Sequence, residues 1–200
     1  MRGIFVYLHL VLYIYSHKVV GWQVHSEELS ALAADLMLDI CLRERVKPEQ
    51  VTLCSDNGSP MKGATMLATL QQLGVIPSFS RPSVSNDTPY SESIFRTLKY
   101  NFQYPKKPFN ELESARNWEQ QFVQWCNYEH LHSGIKFVTP EQRHNSLDSA
   151  TLKQRKAVYN TAKSKHPNRW SGKIRNWDPI TEVYLNPERY KSELKQNKAS

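Results

Sequence analysis

The sequence predicts an α/β fold, on three observations. Two apolar, β-prone runs open the chain, from Phe5 to Tyr15 and from Lys18 to His25. An amphipathic helical stretch follows, and beyond it two short β-prone runs, Val51 to Ser55 and Val75 to Ser80, bracket a second helical stretch. Strands alternating with helices of this length predict a sheet with helices packed on it.

Each element has a local cause. Phe5 to Tyr15 is apolar except for His9 and carries polar residues only beyond it, so it reads as a strand covered on both faces. It is too short to cross a bilayer as a helix, and no small-residue cleavage site follows it, which argues against a secretory leader. Ser16-His17 makes a turn, and Val19, Val20, Trp22 and Val24 mark the next strand. Ser26 is a candidate cap for a helix with Glu27 and Glu28 in its first turn, where acids suit the helix dipole. The apolar stripe of that helix is Leu29, Leu32, Ala33, Leu36, Met37 and Ile40. Pro48 ends the pattern before the Val51 strand, Gly63 to Leu73 reads as a helix, and Gly74 is its stop.

Val51-Thr52-Leu53-Cys54-Ser55 runs straight into Asp56-Asn57-Gly58, so a strand delivers Asp56 to the edge of the sheet. Asp-Asn-Gly is by itself an ordinary turn. The polar, proline-bearing stretch Arg81 to Pro89 reads as a loop, with Asp87 as a turn residue. It leads to a helix for which Ser91 is a candidate cap, with Glu92 in the first turn. Thirty-five residues separate Asp56 from Glu92. Arg96 and Lys99 lie four and seven residues after Glu92 and share its helix face, where they could meet a phosphate or simply form a solvated surface. Glu111 to Cys126 is a further helix, packed through Leu112, Ala115, Trp118, Phe122, Trp125 and Cys126.

Charge divides the chain. Residues 1–90 carry seven basic and eight acidic side chains, whereas 91–200 carry nineteen and eleven, so the whole net charge of +7 comes from the second half. That imbalance points to a polyanionic partner, a nucleic acid or an anionic membrane face. Between Ser149 and Trp177 there are eight basic residues and no acid: Lys153, Arg155, Lys156, Lys163, Lys165, Arg169, Lys173 and Arg175. Such a run is either a solvated helix or a phosphate-binding surface, with Trp170 and Trp177 available for base stacking. The run has no strong apolar moment, which counts against a membrane partner. Three widely spaced cysteines, Cys41, Cys54 and Cys126, form neither a disulfide framework nor a zinc pattern and suit a reducing cytoplasm.

Taken together, several of these words resemble the catalytic core of retroviral integrases and of bacterial insertion-sequence transposases, in particular the insertion-sequence-three family. They are Tyr7-Leu8-His9-Leu10-Val11-Leu12, Ser55-Asp56-Asn57-Gly58-Ser59, Glu92-Ser93 with Phe95-Arg96-Thr97-Leu98-Lys99, and Asn127 to Ile135 with Thr139-Pro140-Glu141. His166 to Gly172 and Val183-Tyr184-Leu185-Asn186-Pro187 resemble the tail of the same family. The resemblance implies a ribonuclease-H-like integrase core over 1–145 and a basic, aromatic-containing extension over 146–200. It implies that Asp56 and Glu92 are the second and third acids of an Asp-Asp-Glu triad holding Mg²⁺ or Mn²⁺. It further implies transposon-end and target DNA as partners, a homo-oligomer or an assembly with an intact transposase, and a place at the nucleoid of a bacterial cytoplasm.

The family's first acid stands on the first core strand, and no Asp or Glu precedes Glu27 here. The expectation is therefore a core lacking its first strand, a weakened metal site, and little strand transfer by this polypeptide alone. The alternative is a non-catalytic DNA-binding protein that modulates an intact transposase.

Overall fold

The computed structural model describes residues 4–81, 88–101 and 103–185. Asp87, the stretch 82–87 around it, and Asn186-Pro187 of the tail lie outside the described residues. The chain forms two compact units, the first from residues up to Tyr13 together with Val19–Phe122, the second from Ile14–Lys18 and Val123–Val183.

In the first unit, β1 (Tyr7–Tyr13) pairs with β2 (Lys18–His25) in one two-stranded sheet. Only the turn at 14–17 joins them, which restricts them to an antiparallel pair. β1 is shorter than the apolar run predicts, and Phe5 is 91% exposed. A second sheet pairs β3 (Thr52–Ser55) in parallel with β4 (Ile76–Phe79), in the register Thr52 to Ile76 and Ser55 to Phe79. The crossover between them is α2 (Ser59–Lys62) and α3 (Ala64–Leu73), the latter closed by Gly74 at φ +65°. Among the described residues no helix is long and apolar enough to cross a membrane.

The core is built on α1 (Ser30–Arg43). Ala33, Ala34, Leu36, Met37, Ile40 and Cys41 are buried together with Val20, Met66, Leu70 and Val75, and Val11 and Leu53 pack against them. Two close approaches fix this layer. A Cβ on Gly21 of β2 would stand 2.3 Å from Cδ1 and 2.5 Å from Cγ1 of Ile40, and one on Gly63 would stand 2.4 Å from Cβ of Ser30. The second approach lies at the start of α1, where the sequence-based expectation is corrected. α1 starts at Ser30 behind Leu29, with no side-chain cap and no acid in its first turn, so Ser26 does not cap it and Glu27 and Glu28 precede it. Ser30, the first residue of the helix, packs closely against Gly63, and Leu29 is exposed rather than part of the stripe.

α4 (Pro89–Lys99) and α5 (Leu112–Tyr128) follow. Ser91 does not cap α4: Thr88 is the N-cap and Pro89 takes the first helical turn, where its fixed φ and missing N–H cost nothing. Along α5, Trp118 stacks on Phe122 with ring centroids 5.6 Å apart. Glu119 sits one turn after Ala115 and is 2% exposed, with Oε1 lacking a hydrogen-bond partner among the described residues. Burial pushes its carboxyl up to about 7.

The second unit is organised by Arg143, 2% exposed, on α6 (Pro140–His144). Its Nε donates to the carbonyl of Tyr15 (2.7 Å), one terminal nitrogen to that of Ile180 (2.7 Å) and the other to Asp148 (3.4 Å), while the guanidinium lies 4.2 Å from the Tyr15 ring centre. Thr139 closes a capping box with Gln142 at the start of α6. α7 (Asp148–Lys165) carries Leu152 into a small core with Ile135, Val138 and Trp177. The rings of His17 and His132 are 5.4 Å apart, and those of His130 and His132 4.3 Å, with His132 pushed down to about 4 by burial and by its two neighbours.

Two stability outcomes follow. Gly21→Ala forces the Ile40 side chain out of place and should lower unfolding free energy by about 1–3 kcal/mol in a urea titration. Glu119 binds its proton more tightly when folded than when unfolded, so it stabilises the fold at low pH, and that contribution is lost as pH rises from about 4.5 through about 7. Glu119→Gln should flatten the fall in melting temperature across that window; an unchanged profile would show that the carboxyl is ionised in the folded chain.

Candidate metal and nucleic-acid site

Asp56 follows directly on β3, at the carboxyl end of the parallel pair, the end at which open α/β sheets present their ligand-binding residues. The local fold is tight. Oδ1 of Asp56 accepts the Gly58 N–H (3.0 Å), forming an Asx turn into α2. The Ser80 N–H donates to the Ser55 carbonyl (2.9 Å), and the Asn57 side-chain amide donates to the Ser80 carbonyl (2.7 Å). The chain that leaves β4 toward α4 therefore departs from beside Asp56. The carboxylate is exposed, and Oδ2 is uncommitted among the described residues.

Glu92 lies in the first turn of α4. Ile94 and Leu98 are buried and hold the inner face, whereas Glu92, Arg96 and Lys99 are exposed. The Arg96 guanidinium lies 6.0 Å from the Tyr100 ring centre. Asp56 and Glu92 belong to the same compact unit. Among the described residues no group of three or more His, Cys, Asp and Glu side chains is arranged to hold a metal ion. Asp56 and Glu92 are each exposed, and carboxylate oxygens are hard donors of the kind that Mg²⁺ and Mn²⁺ prefer.

The basic run divides into two sets. Lys153, Lys165, Arg169 and Lys173 are exposed, with no side-chain partner among the described residues. The other four are engaged. Arg155 donates to the Lys136 carbonyl (2.7 Å), Lys156 pairs with Asp178 (2.6 Å) and Lys163 donates to the Gly172 carbonyl (2.8 Å). Arg175 lies 4.6 Å from the Phe137 ring centre and 5.5 Å from that of Trp177. Trp177 is no stacking platform. It is 5% exposed, with the guanidinium groups of Arg155 and Arg175 each 5.5 Å from its ring centre and edge-on to Tyr159 at 5.2 Å, so its ring belongs to the core. Trp170 is half-buried and edge-on to Tyr159 at 5.9 Å. Lys136 and Asp178 carry no distinctive signal in the sequence: one is an isolated lysine, the other the acid just past the basic run, and they meet across 42 positions.

Two family models, each described as integrase core domain, match residues 1–85 and 73–140. The chain is 27% identical over 143 residues to the transposase for insertion sequence element IS904 of Lactococcus lactis, covering 70% of this chain and 56% of that protein. It is 28% identical over 142 residues to transposase InsF for insertion sequence IS3A of Escherichia coli, covering 70% and 48%. The chain thus spans about half the length of the curated relatives it matches. The fold is similar to that of a chain in the cryo-electron-microscopy structure of the simian T-cell lymphotropic virus intasome in complex with PP2A regulatory subunit B56 gamma, with a TM-score of 0.55 at 16% identity, covering 88% of this chain and 54% of that one. The mixed α/β arrangement, with β3 and β4 parallel around a helical crossover, is that of a ribonuclease-H-like integrase core.

Proposed function

Because the chain belongs to the integrase-core family of insertion-sequence-three transposases, we propose that it acts in DNA transposition and brings two acids, Asp56 and Glu92, to a divalent-metal centre. The observation that carries this reading is the exposed Asp56 carboxylate at the carboxyl end of β3, one oxygen uncommitted, followed at thirty-five residues' distance by Glu92 on an exposed helix face shared with Arg96 and Lys99.

The roles divide by chemistry. Asp56 and Glu92 hold Mg²⁺ or Mn²⁺ through carboxylate oxygens, and two such protein ligands hold it weakly. Bound there, the ion supplies charge neutralisation and activation of oxygen for displacement at phosphorus. Arg96 and Lys99 position a DNA phosphate beside the acids. In the second unit Lys153, Lys165, Arg169 and Lys173 contact the DNA backbone, and Arg155, Lys156, Lys163 and Arg175 add to the field around them. Residues 1–145 carry the core and 146–200 the extension. The partners are transposon-end and target DNA, with further copies or an intact transposase completing the assembly, in the bacterial cytoplasm at the nucleoid.

With two acids rather than three in the proposed centre, the polypeptide on its own binds DNA and transfers strands poorly or not at all. The same observation favours a second reading, a DNA-binding protein that modulates an intact transposase. Duplex binding should weaken steeply with salt, and replacing Lys153, Lys165, Arg169 and Lys173 by Gln should reduce the slope of log affinity against log salt by up to about one for each phosphate no longer neutralised. Mn²⁺ binding followed by electron paramagnetic resonance should be weak and should vanish in Asp56→Ala. Robust Mg²⁺-dependent strand transfer that disappears in Asp56→Ala would overturn the inactivity of the lone chain; DNA binding no tighter than that of a neutral protein would sink the reading as a whole.

A further inference from the structure

Asp178 is the one acid between Asp148 and Glu182, and it is surrounded by cations. Its Oδ1 accepts from Lys156 Nζ at 2.6 Å, the two side chains being 63% and 48% exposed. Lys136 Nζ donates to the carbonyls of Asn176 (2.9 Å) and Asp178. Lys136 is held below the ordinary lysine range by partial burial first, with Arg143 and Arg175 acting in the same sense and Asp178 against it. Lys136, Lys156 and Arg175 thus share one small region of the second unit, next to the aromatic pair Phe137 and Trp177.

The segment Asn176 to Ile180 does not need the Asp178 carboxylate to stay in place. Trp177 is buried in the core, Lys136 fastens two backbone carbonyls, and Arg143 fastens the Ile180 carbonyl. The Asp178 N–H is satisfied by the Asn176 side chain (2.8 Å). What remains is an exposed lysine–carboxylate pair, of a kind that contributes little to stability and is readily exchanged. A carboxylate and a phosphodiester offer a lysine the same thing, an anionic oxygen accepting a charge-assisted hydrogen bond.

We propose that Lys156, with the fixed cations Lys136 and Arg175 beside it, forms a phosphate subsite for the DNA backbone, and that Asp178 holds Lys156 from within the chain and yields it when DNA binds. The proposal rests on the DNA-binding reading above and adds a regulated contact to it. Asp178 sets the affinity of the basic face: with the carboxylate in place, DNA must displace an internal anion before it gains Lys156.

The test uses the full chain and a short fluorescent duplex of arbitrary sequence, with binding read by anisotropy across a salt series. Asp178→Asn should tighten binding by about threefold or more at low salt, the gain shrinking as salt rises. The substitution Asp39→Asn, which removes from α1 another exposed, ion-paired carboxylate, should give a clearly smaller gain. Lys156→Gln should weaken binding and, combined with Asp178→Asn, should erase the gain. The melting temperature of Asp178→Asn should match that of the unaltered chain. The subsite is overturned if Asp178→Asn does no more than Asp39→Asn, if its gain survives Lys156→Gln, or if it melts several degrees lower, which would make the carboxylate part of the fold's fastening. Failure of every form to bind duplex would instead defeat the DNA reading on which the subsite depends.

Discussion

The first unit depends on how closely α1 approaches its neighbours. At Gly21 the strand β2 lies against Ile40, and at Gly63 the start of the α2–α3 crossover lies against Ser30, each with no room for a methyl group. These contacts place α1 and α3 in one layer, and the buried residues of that layer reach Val20 of one sheet and Leu53 of the other. β3 is only four residues long and, among the described residues, has one hydrogen-bonded neighbour, while Leu53 packs onto the helical layer. The placement of Asp56 is inherited from there. A well-packed layer tolerates little added volume, so the acid is positioned by residues that never touch it.

The second unit uses a charge where the first uses apolar packing. Arg143 is almost fully buried and joins the turn at Tyr15, the start of α7 at Asp148 and the tail at Ile180. A guanidinium can do this because its donors point in fixed directions and can serve several acceptors at once. Its ionic partner Asp148 is buried with it, so neither charge is left uncompensated. Carbonyls and a ring satisfy the rest.

How much of this was legible in the sequence differs by range. Strand β2, the αL stop at Gly74 and the delivery of Asp56 by a strand came from local signals, namely β-branched residues, a glycine and an Asp-Asn-Gly turn. The start of α1 did not: the helix begins at Ser30, which packs against Gly63 more than thirty positions away, and no side chain caps it. Glu119 occupies a position that the stripe Ala115, Phe122 and Cys126 makes internal, so periodicity alone marks it as buried; its charge argued the other way, and the fold resolves the conflict by favouring the protonated form. The proposed site acids rest on a pair of words at a characteristic distance, and their convergence is a matter of long-range packing that no local signal carries. The links of Lys136 and Arg143 to the tail were not, since each joins residues about forty positions apart and neither end has a distinctive neighbourhood.

The basic extension shows why a count of charges overstates a binding surface. Eight cations in a run without an acid suggest eight contacts, yet Arg155 and Arg175 flank the Trp177 ring, Lys163 closes a backbone carbonyl and Lys156 is paired. These groups hold the tail against α7, and only the remaining four face solvent without a partner among the described residues. The two uses differ in how firmly they commit a cation. A guanidinium over a buried ring is fixed by packing and cannot leave without exposing the ring, whereas an ammonium on an exposed carboxylate can exchange one anion for another at little cost. Affinity for a polyanion therefore depends less on the total charge of the tract than on which of its cations the fold has bound irreplaceably and which it has only lent to Asp178.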